Sequence, residues 1–264
     1  MTSPAKQFTN ACRGVIDQVD AQAEAIRRVA QIFADSILAG RVVHVFGSGH
    51  SRILADELWP RYGSFPGFNP IVELSLTFHN LVVGANGQRQ AMFLENVSGL
   101  AARILRNFGL DRRDSALIMS SSGTTVVATE MAELFRERGI PVVAILSRAH
   151  SAAATSRRED GKKLGDFADV ILDTAAPPGD AVVRVPGLET PVSPVSTVGG
   201  SLLINAVKAE LAQLLTEAGA PPPVLTGAMV LGAERSAELF ERAYDEHAHR
   251  MGRIYLGAGG EESS

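Results

Sequence analysis

The chain has 264 residues, 45% of them hydrophobic, enough for one large α/β domain or two small ones. Its 25 basic and 29 acidic residues leave a formal net charge of −4, which gives no reason to expect nucleic acid or an anionic membrane as the main partner. Cys12 is the sole cysteine, which excludes an intramolecular disulfide and a cysteine-built zinc site and suits a reducing, cytoplasmic setting.

The N-terminal stretch MTSPAKQFTNACRG lacks the apolar core of a signal peptide, and no run approaches the roughly 18 apolar residues of a bilayer span. From Phe8 to Ala39 apolar residues recur at helical spacing (Val15, Val19, Ile26, Phe33, Ile37), and Gly40 suits the stop, so one long N-terminal helix is expected. Arg41 to Phe46 reads as a strand that empties into Gly47-Ser48-Gly49-His50-Ser51, followed by a helix over Arg52 to Leu58. Pro60 ends that helix, the loop GSFPGFNP leads to a strand at Ile71 to Leu74, and Ala85-Asn86-Gly87 marks a turn. Phe93 to Phe108 reads as one helix closed by Gly109.

Ser115 to Gly139 is the most informative stretch. Ala116 to Met119 forms a buried strand, Ser120-Ser121-Ser122-Gly123-Thr124-Thr125 a tight hydroxyl-rich turn, and Val126 to Arg138 an amphipathic helix. Such a turn puts hydroxyls and free N–H groups at a helix N-terminus, a ready site for an anion such as phosphate. The same residue types also serve as ordinary helix caps, so both readings stand at this point. Pro141 to Leu146 is another buried strand, and Val170 to Leu172 a short one suited to an edge. Alternating strands and helices imply a parallel sheet covered on both faces. Between Asp173 and Ser196, five prolines and two glycines make an irregular segment of the kind that serves as a lid or binding loop. Helices are expected over Thr197 to Thr216, with a small-residue start, and over Glu234 to Arg250. A single domain over residues 1–256, with a disordered acidic tail at 257–264, completes the expectation.

GSGHS after one strand and SSSGTT after another, about 73 residues apart on one α/β sheet, resemble the SIS (sugar isomerase) domain. FADSILAGRVVHVFGSGHS is similar to sedoheptulose 7-phosphate isomerase, and GSGHSRILADELWPRYG to the segment of N-acetylmuramic acid 6-phosphate etherase in which a glutamate precedes a proline. The likeness is greatest to the uncharacterised UPF0309 family, through the ending STVGGSLLINAVKAELAQLLTEAGAPPPVLTGAMVLGA. It implies a three-layer, flavodoxin-like sandwich that binds a phosphorylated sugar, needs no cofactor or metal, and assembles as a homodimer or homotetramer.

Residue by residue, the resemblance assigns the phosphate to Ser120, Ser122 and Thr125, with Ser121 and Thr124 in the same loop. It adds Ser48 and Ser51 from the first turn, and Ser196 and Thr197 from the later helix start. Glu57 matches the catalytic glutamate of both enzyme families, where a raised pKa would suit it to shuttle a proton between adjacent carbons; an ion pair with Arg61 at i+4 is its structural alternative. Glu95 falls in the region of the etherase's second glutamate. The isomerase's helix histidine is absent, since this chain reads Asn205-Ala206-Val207-Lys208-Ala209-Glu210, and Lys208 is the candidate replacement. His50 and His79 are the histidines nearest the expected site and are candidate proton donors. His247 and His249, at i and i+2, cannot share a helix face as metal ligands. The leading expectation is an aldose-ketose isomerase working through an enediol. A lyase or etherase on a phosphorylated amino sugar derivative, and a sensor that only binds phosphosugars, are the alternatives.

Overall fold

The computed structural model describes residues 2–77 and 87–256. His79, Ala85, Asn86 and the tail at 257–264 lie outside them. Five parallel strands, β1 (Val43–Gly47), β2 (Phe68–Ile71), β3 (Ser115–Met119), β4 (Val142–Leu146) and β5 (Val170–Asp173), form one sheet in the order β2-β1-β3-β4-β5. Every residue of β1, β3 and β4 is buried, as strands in a doubly covered parallel sheet are, and the polar His44 and Ser115 among them are hydrogen-bonded.

Period-two alternation divides the core into two layers. Val43, Val45, Leu117, Met119, Val143 and Ile145 face one side, against Val29, Phe33, Leu54, Leu203 and Leu211. Those partners come from α2 (Ala23–Leu38), α3 (Ile53–Leu58) and α8 (Ser196–Glu217), with α1 (Pro4–Asp20) packed beside them. Phe46, Ala116, Ile118, Val142 and Ala144 face the other, against Ile104 and Leu105 of α5 (Leu100–Leu105) and Val127, Met131 and Phe135 of α6 (Val126–Glu137).

Several expected elements are built differently. The long N-terminal helix is two helices, because Gln22 turns its side chain onto the sheet edge. Its Oε1 accepts from the Asp173 N–H at 2.7 Å and its Nε2 donates to the Asp173 carbonyl at 2.8 Å, mimicking one more strand residue beside β5. The helix expected over Phe93 to Phe108 is α4 (Gly87–Leu94) and α5, separated where the Glu95 carbonyl leaves the helical ladder to accept from the Val127 N–H and Gly99 takes φ +83°. The second strand starts earlier than expected, at Phe68, and the helix before Pro60 begins as a 3-10 turn at Gly49–Arg52. The remaining helices are α7 (Arg148–Ala153), α9 (Ala228–Leu231) and α10 (Ala233–Leu256). The proline-rich segment contains an antiparallel hairpin, β6 (Ala181–Val183) with β7 (Val192–Pro194).

At the N-terminal end of the sheet Arg41 and Asp114 form a buried two-point pair. Nε and Nη2 of Arg41 donate to the two carboxylate oxygens at 2.7 and 2.8 Å. The fully buried His44 stands 3.2 Å from Asp114 Oδ2 through Nε2 and 2.9 Å from Asn69 Nδ2 through Nδ1. With the Asn69 amide at Nδ1 and the Asp114 carboxylate at Nε2, both ring nitrogens of His44 have a partner.

Candidate functional site

The sheet order reverses between β1 and β3, so the chain leaves these neighbouring strands in opposite directions and a crevice opens at their carboxyl ends. Both sequence-identified turns fall there. After β3, Gly123 N–H donates to the carbonyl and hydroxyl of Ser120, and Ser122 Oγ lies 2.8 Å from Thr124 Oγ1. Thr125, which directly precedes α6, makes no side-chain cap. Its Oγ1 and that of Ser121 (Oγ) are buried without a partner. The N–H groups of Ser121, Ser122 and Thr125 likewise donate to no acceptor among the described residues. A buried hydroxyl left unmatched costs about 1–3 kcal/mol. Ordinary capping would have matched Thr125, whereas a bound anion would match several of these donors together.

The first turn comes close to its own backbone: a Cβ on Gly47 would sit 2.8 Å from the carbonyl of Ser51, so only glycine fits. Ser48 Oγ donates to Glu95 Oε2 at 2.7 Å, which brings Glu95 to this turn and to the start of α6, where its own carbonyl binds Val127. Burial pushes the Glu95 carboxyl above its ordinary pKa, against the opposing pull of the Ser48 hydrogen bond and the nearby Arg157. Arg157 was not identifiable from sequence; its N–H donates to the Thr124 carbonyl, which ties it to the hydroxyl loop.

The third wall is the start of α8. Its small residues permit close packing, since a Cβ on Gly199 would lie 2.1 Å from the Thr174 carbonyl oxygen and one on Gly200 2.6 Å from Leu54 Cδ1. Between the walls is a cavity of about 120 Å³ lined by His50, Ser51, Ser120, Ser121, Thr174, Asp180, Ser196 and Thr197, with Leu54, Met119 and Ile145 contributing apolar surface. A larger groove of about 340 Å³ runs between α2 and α10, lined among others by Ile37, Leu38, Pro66, Arg242 and Arg250, and holds none of the hydroxyl-rich loops.

Glu57 makes the i, i+4 pair with Arg61 that the sequence offered as its structural alternative, and its pKa moves in the opposite direction from the one a proton shuttle needs. Its carboxylate is ion-paired with Arg61 and accepts from Asn205 Nδ2 at 2.7 Å. Burial pulls its pKa up, but the bonds from Asn205 and Arg61 and the charges of Arg61 and Lys208 hold it below the ordinary value, not above. Lys208 is buried, not a surface lysine, and donates to the Glu57 carbonyl at 2.9 Å and to Ser64 Oγ at 3.0 Å. Burial lowers its pKa, with Glu57 opposing and Arg61 adding to the shift. Glu57 and Lys208 thus join α3 to α8 and, like Glu95 and Thr125, lie outside the lining of the cavity. His247 packs on the Trp59 ring at 5.1 Å. Among the described residues no cluster of three His, Cys, Asp or Glu side chains could hold a metal, and no helix is long and apolar enough to cross a membrane.

A parallel sheet of this order with hydroxyl-rich turns at its switch point defines the class, and the chain belongs to the SIS domain family, whose model matches residues 7–147. Within that family it groups with the UPF0309 proteins. It is 33% identical to one from Halalkalibacterium halodurans, over 86% of this chain and 93% of the relative, and 29% identical to one from Listeria innocua, over 89% and 92%. Among solved structures the phosphoheptose isomerase of Neisseria gonorrhoeae shares the fold with a TM-score of 0.50 at 16% identity, covering 79% of this chain and 96% of that one.

Proposed function

We propose that the crevice binds the phosphate of a phosphorylated sugar and that the protein isomerises the bound sugar between aldose and ketose. The observation that carries the reading is the set of unmatched donors at the start of α6, the Ser121 and Thr125 hydroxyls with neighbouring N–H groups. A phosphate offers three acceptor oxygens and a charge that the helix dipole favours.

Isomerisation needs one group to take the C2 proton and return it to C1, while the carbonyl oxygen at C1 gains a proton to give the enediol and the C2 hydroxyl then gives one up as the ketone forms. Glu95 suits this better than Glu57. Burial raises its pKa, which suits a group that must both take and return a proton, and it sits beside the first turn through Ser48. Glu57 is committed to Arg61 and Asn205. The second reading, a lyase that divides acid and base roles between Glu95 and Glu57, requires Glu57 to leave its bonds to Arg61 and Asn205. Product mass separates the two, since an isomerase conserves it.

Binding itself is tested by calorimetry with inorganic phosphate and glucose 6-phosphate. Each hydrogen bond to a charged group contributes about 1.5–3 kcal/mol. Combined Ser121→Ala and Thr125→Val should therefore weaken glucose 6-phosphate binding by about 10²-fold or more, while thermal stability holds or rises because two unmatched buried hydroxyls are gone. Unchanged affinity would contradict the assignment.

A further inference from the structure

Phosphate binding at α6 leaves the opposite wall of the cavity unexplained. Asp180, at the foot of the β6–β7 hairpin with φ +69°, turns its carboxylate onto the start of α8. Oδ1 accepts from the N–H groups of Val195 and Ser196 at 3.0 and 2.7 Å, and Oδ2 accepts from Ser196 Oγ at 2.5 Å. The positive end of this 22-residue helix is therefore already occupied by an anion of the protein. Ser196, expected from sequence to hold phosphate, has both its hydroxyl and its N–H committed to that anion. A carboxylate has about four acceptor positions. Three are used, and the fourth, on Oδ2, belongs to a residue that lines the cavity. Thr174, 3% exposed, lines the same cavity and keeps its Oγ1 without a partner.

We propose that Asp180 and Thr174 read the end of the ligand remote from its phosphate and select an uncharged hydroxyl there, so that the substrate class is a sugar monophosphate and neither a bisphosphate nor a phosphorylated sugar acid. The inference rests on the phosphosugar reading above. The free Oδ2 position accepts a ligand hydroxyl, and Thr174 Oγ1 gains the partner it lacks. A second anion at this end would face Asp180 across a cavity whose nearest helix dipole is already neutralised, an arrangement that rejects a competitor by like charge. The hairpin is thus a specificity element, and the strained backbone of Asp180 holds the discriminating group in place.

Glucitol 6-phosphate and 6-phosphogluconate make the test direct. Both are open chains, and they differ in a hydroxymethyl against a carboxylate at the carbon farthest from phosphate. By calorimetry on the full chain, wild type should prefer glucitol 6-phosphate by about tenfold or more. Asp180→Asn keeps a carbonyl oxygen for the α8 N–H groups, and should narrow the preference to about threefold or less by strengthening 6-phosphogluconate binding. Thr174→Val should weaken glucitol 6-phosphate by about fivefold while the thermal midpoint holds or rises, which a merely structural threonine would not do. Equal wild-type affinities, or a preference that Asp180→Asn leaves unchanged, would overturn the inference. Should Asp180→Asn fail to fold, Thr174→Val decides alone, and unchanged glucitol 6-phosphate affinity overturns it. If wild type binds neither compound nor inorganic phosphate, the phosphosugar reading falls as well; if it binds them and the ratio ignores residue 180, only this inference falls.

Discussion

Asp114→Ala is expected to destabilise the protein by about 3–5 kcal/mol, a large share of the roughly 5–15 kcal/mol by which a domain is stable. The reason is asymmetry. The Asp114 side chain is fully buried, and removing it strands the Arg41 guanidinium, itself only 9% exposed, together with Nε2 of His44. Burial alone would raise the Asp114 pKa, yet the hydrogen bonds from His44 and Arg41 overrule it and hold the pKa below its ordinary value. A carboxylate whose folded pKa is depressed contributes stability that is complete above its unfolded pKa of about 4 and is lost as pH falls through the folded one. Chemical denaturation at pH 7 should therefore show the deficit, and the gap between wild type and variant should shrink below about pH 4. A variant with wild-type stability at pH 7 would show that the pair contributes nothing net. Phosphosugar affinity, read at the other end of the strands, should survive in the folded fraction.

Glu95→Gln should cut exchange of the C2 proton with solvent deuterium by about 10²–10⁴-fold, the usual range for a general base. The substrates to screen are glucose 6-phosphate, fructose 6-phosphate and sedoheptulose 7-phosphate. The amide can still accept from Ser48, so binding should stay within about threefold, and the loss should fall on turnover. Stability carries its own sign. A carboxyl whose folded pKa is raised favours folding most below its unfolded value and loses that contribution as pH rises through the folded pKa, so at pH 7 the neutral amide should leave the thermal midpoint unchanged or higher. Glu57→Gln should do the reverse, keeping exchange within about threefold while losing some stability with its bonds to Arg61 and Asn205. Loss of exchange in Glu57→Gln with exchange retained in Glu95→Gln would return the base to Glu57.

Which features were visible in the sequence follows from how local their causes are. The apolar residues of Val43–Gly47, interrupted by His44, and the unbroken run Val142–Leu146 state their own burial, and the strand, turn and helix around Ser120 to Thr125 are legible without reference to the rest of the chain. The break at Gln22 does not, because its cause is Asp173, 151 residues away. The break near Glu95 has the same character, being fixed by Val127 and Ser48. Helical spacing continues through both places and therefore misleads. Asp180 lay hidden within a proline-rich segment whose hairpin strands are only three residues each, too short to show a pattern. The small residues opening α8 were legible as small, but only the 2.1 Å approach to the Thr174 oxygen explains them. Glu57 shows the converse. A sequence likeness carried a role to it, whereas the local i, i+4 pair with Arg61 describes its surroundings.

A crystal structure of the protein with glucitol 6-phosphate bound tests the central claim most directly. The account predicts phosphate oxygens within about 2.6–3.2 Å of Ser121 Oγ and Thr125 Oγ1, with the sugar running across the cavity towards Thr174. A ligand seated in the groove between α2 and α10, or a phosphate that leaves those two hydroxyls unpartnered, would contradict it.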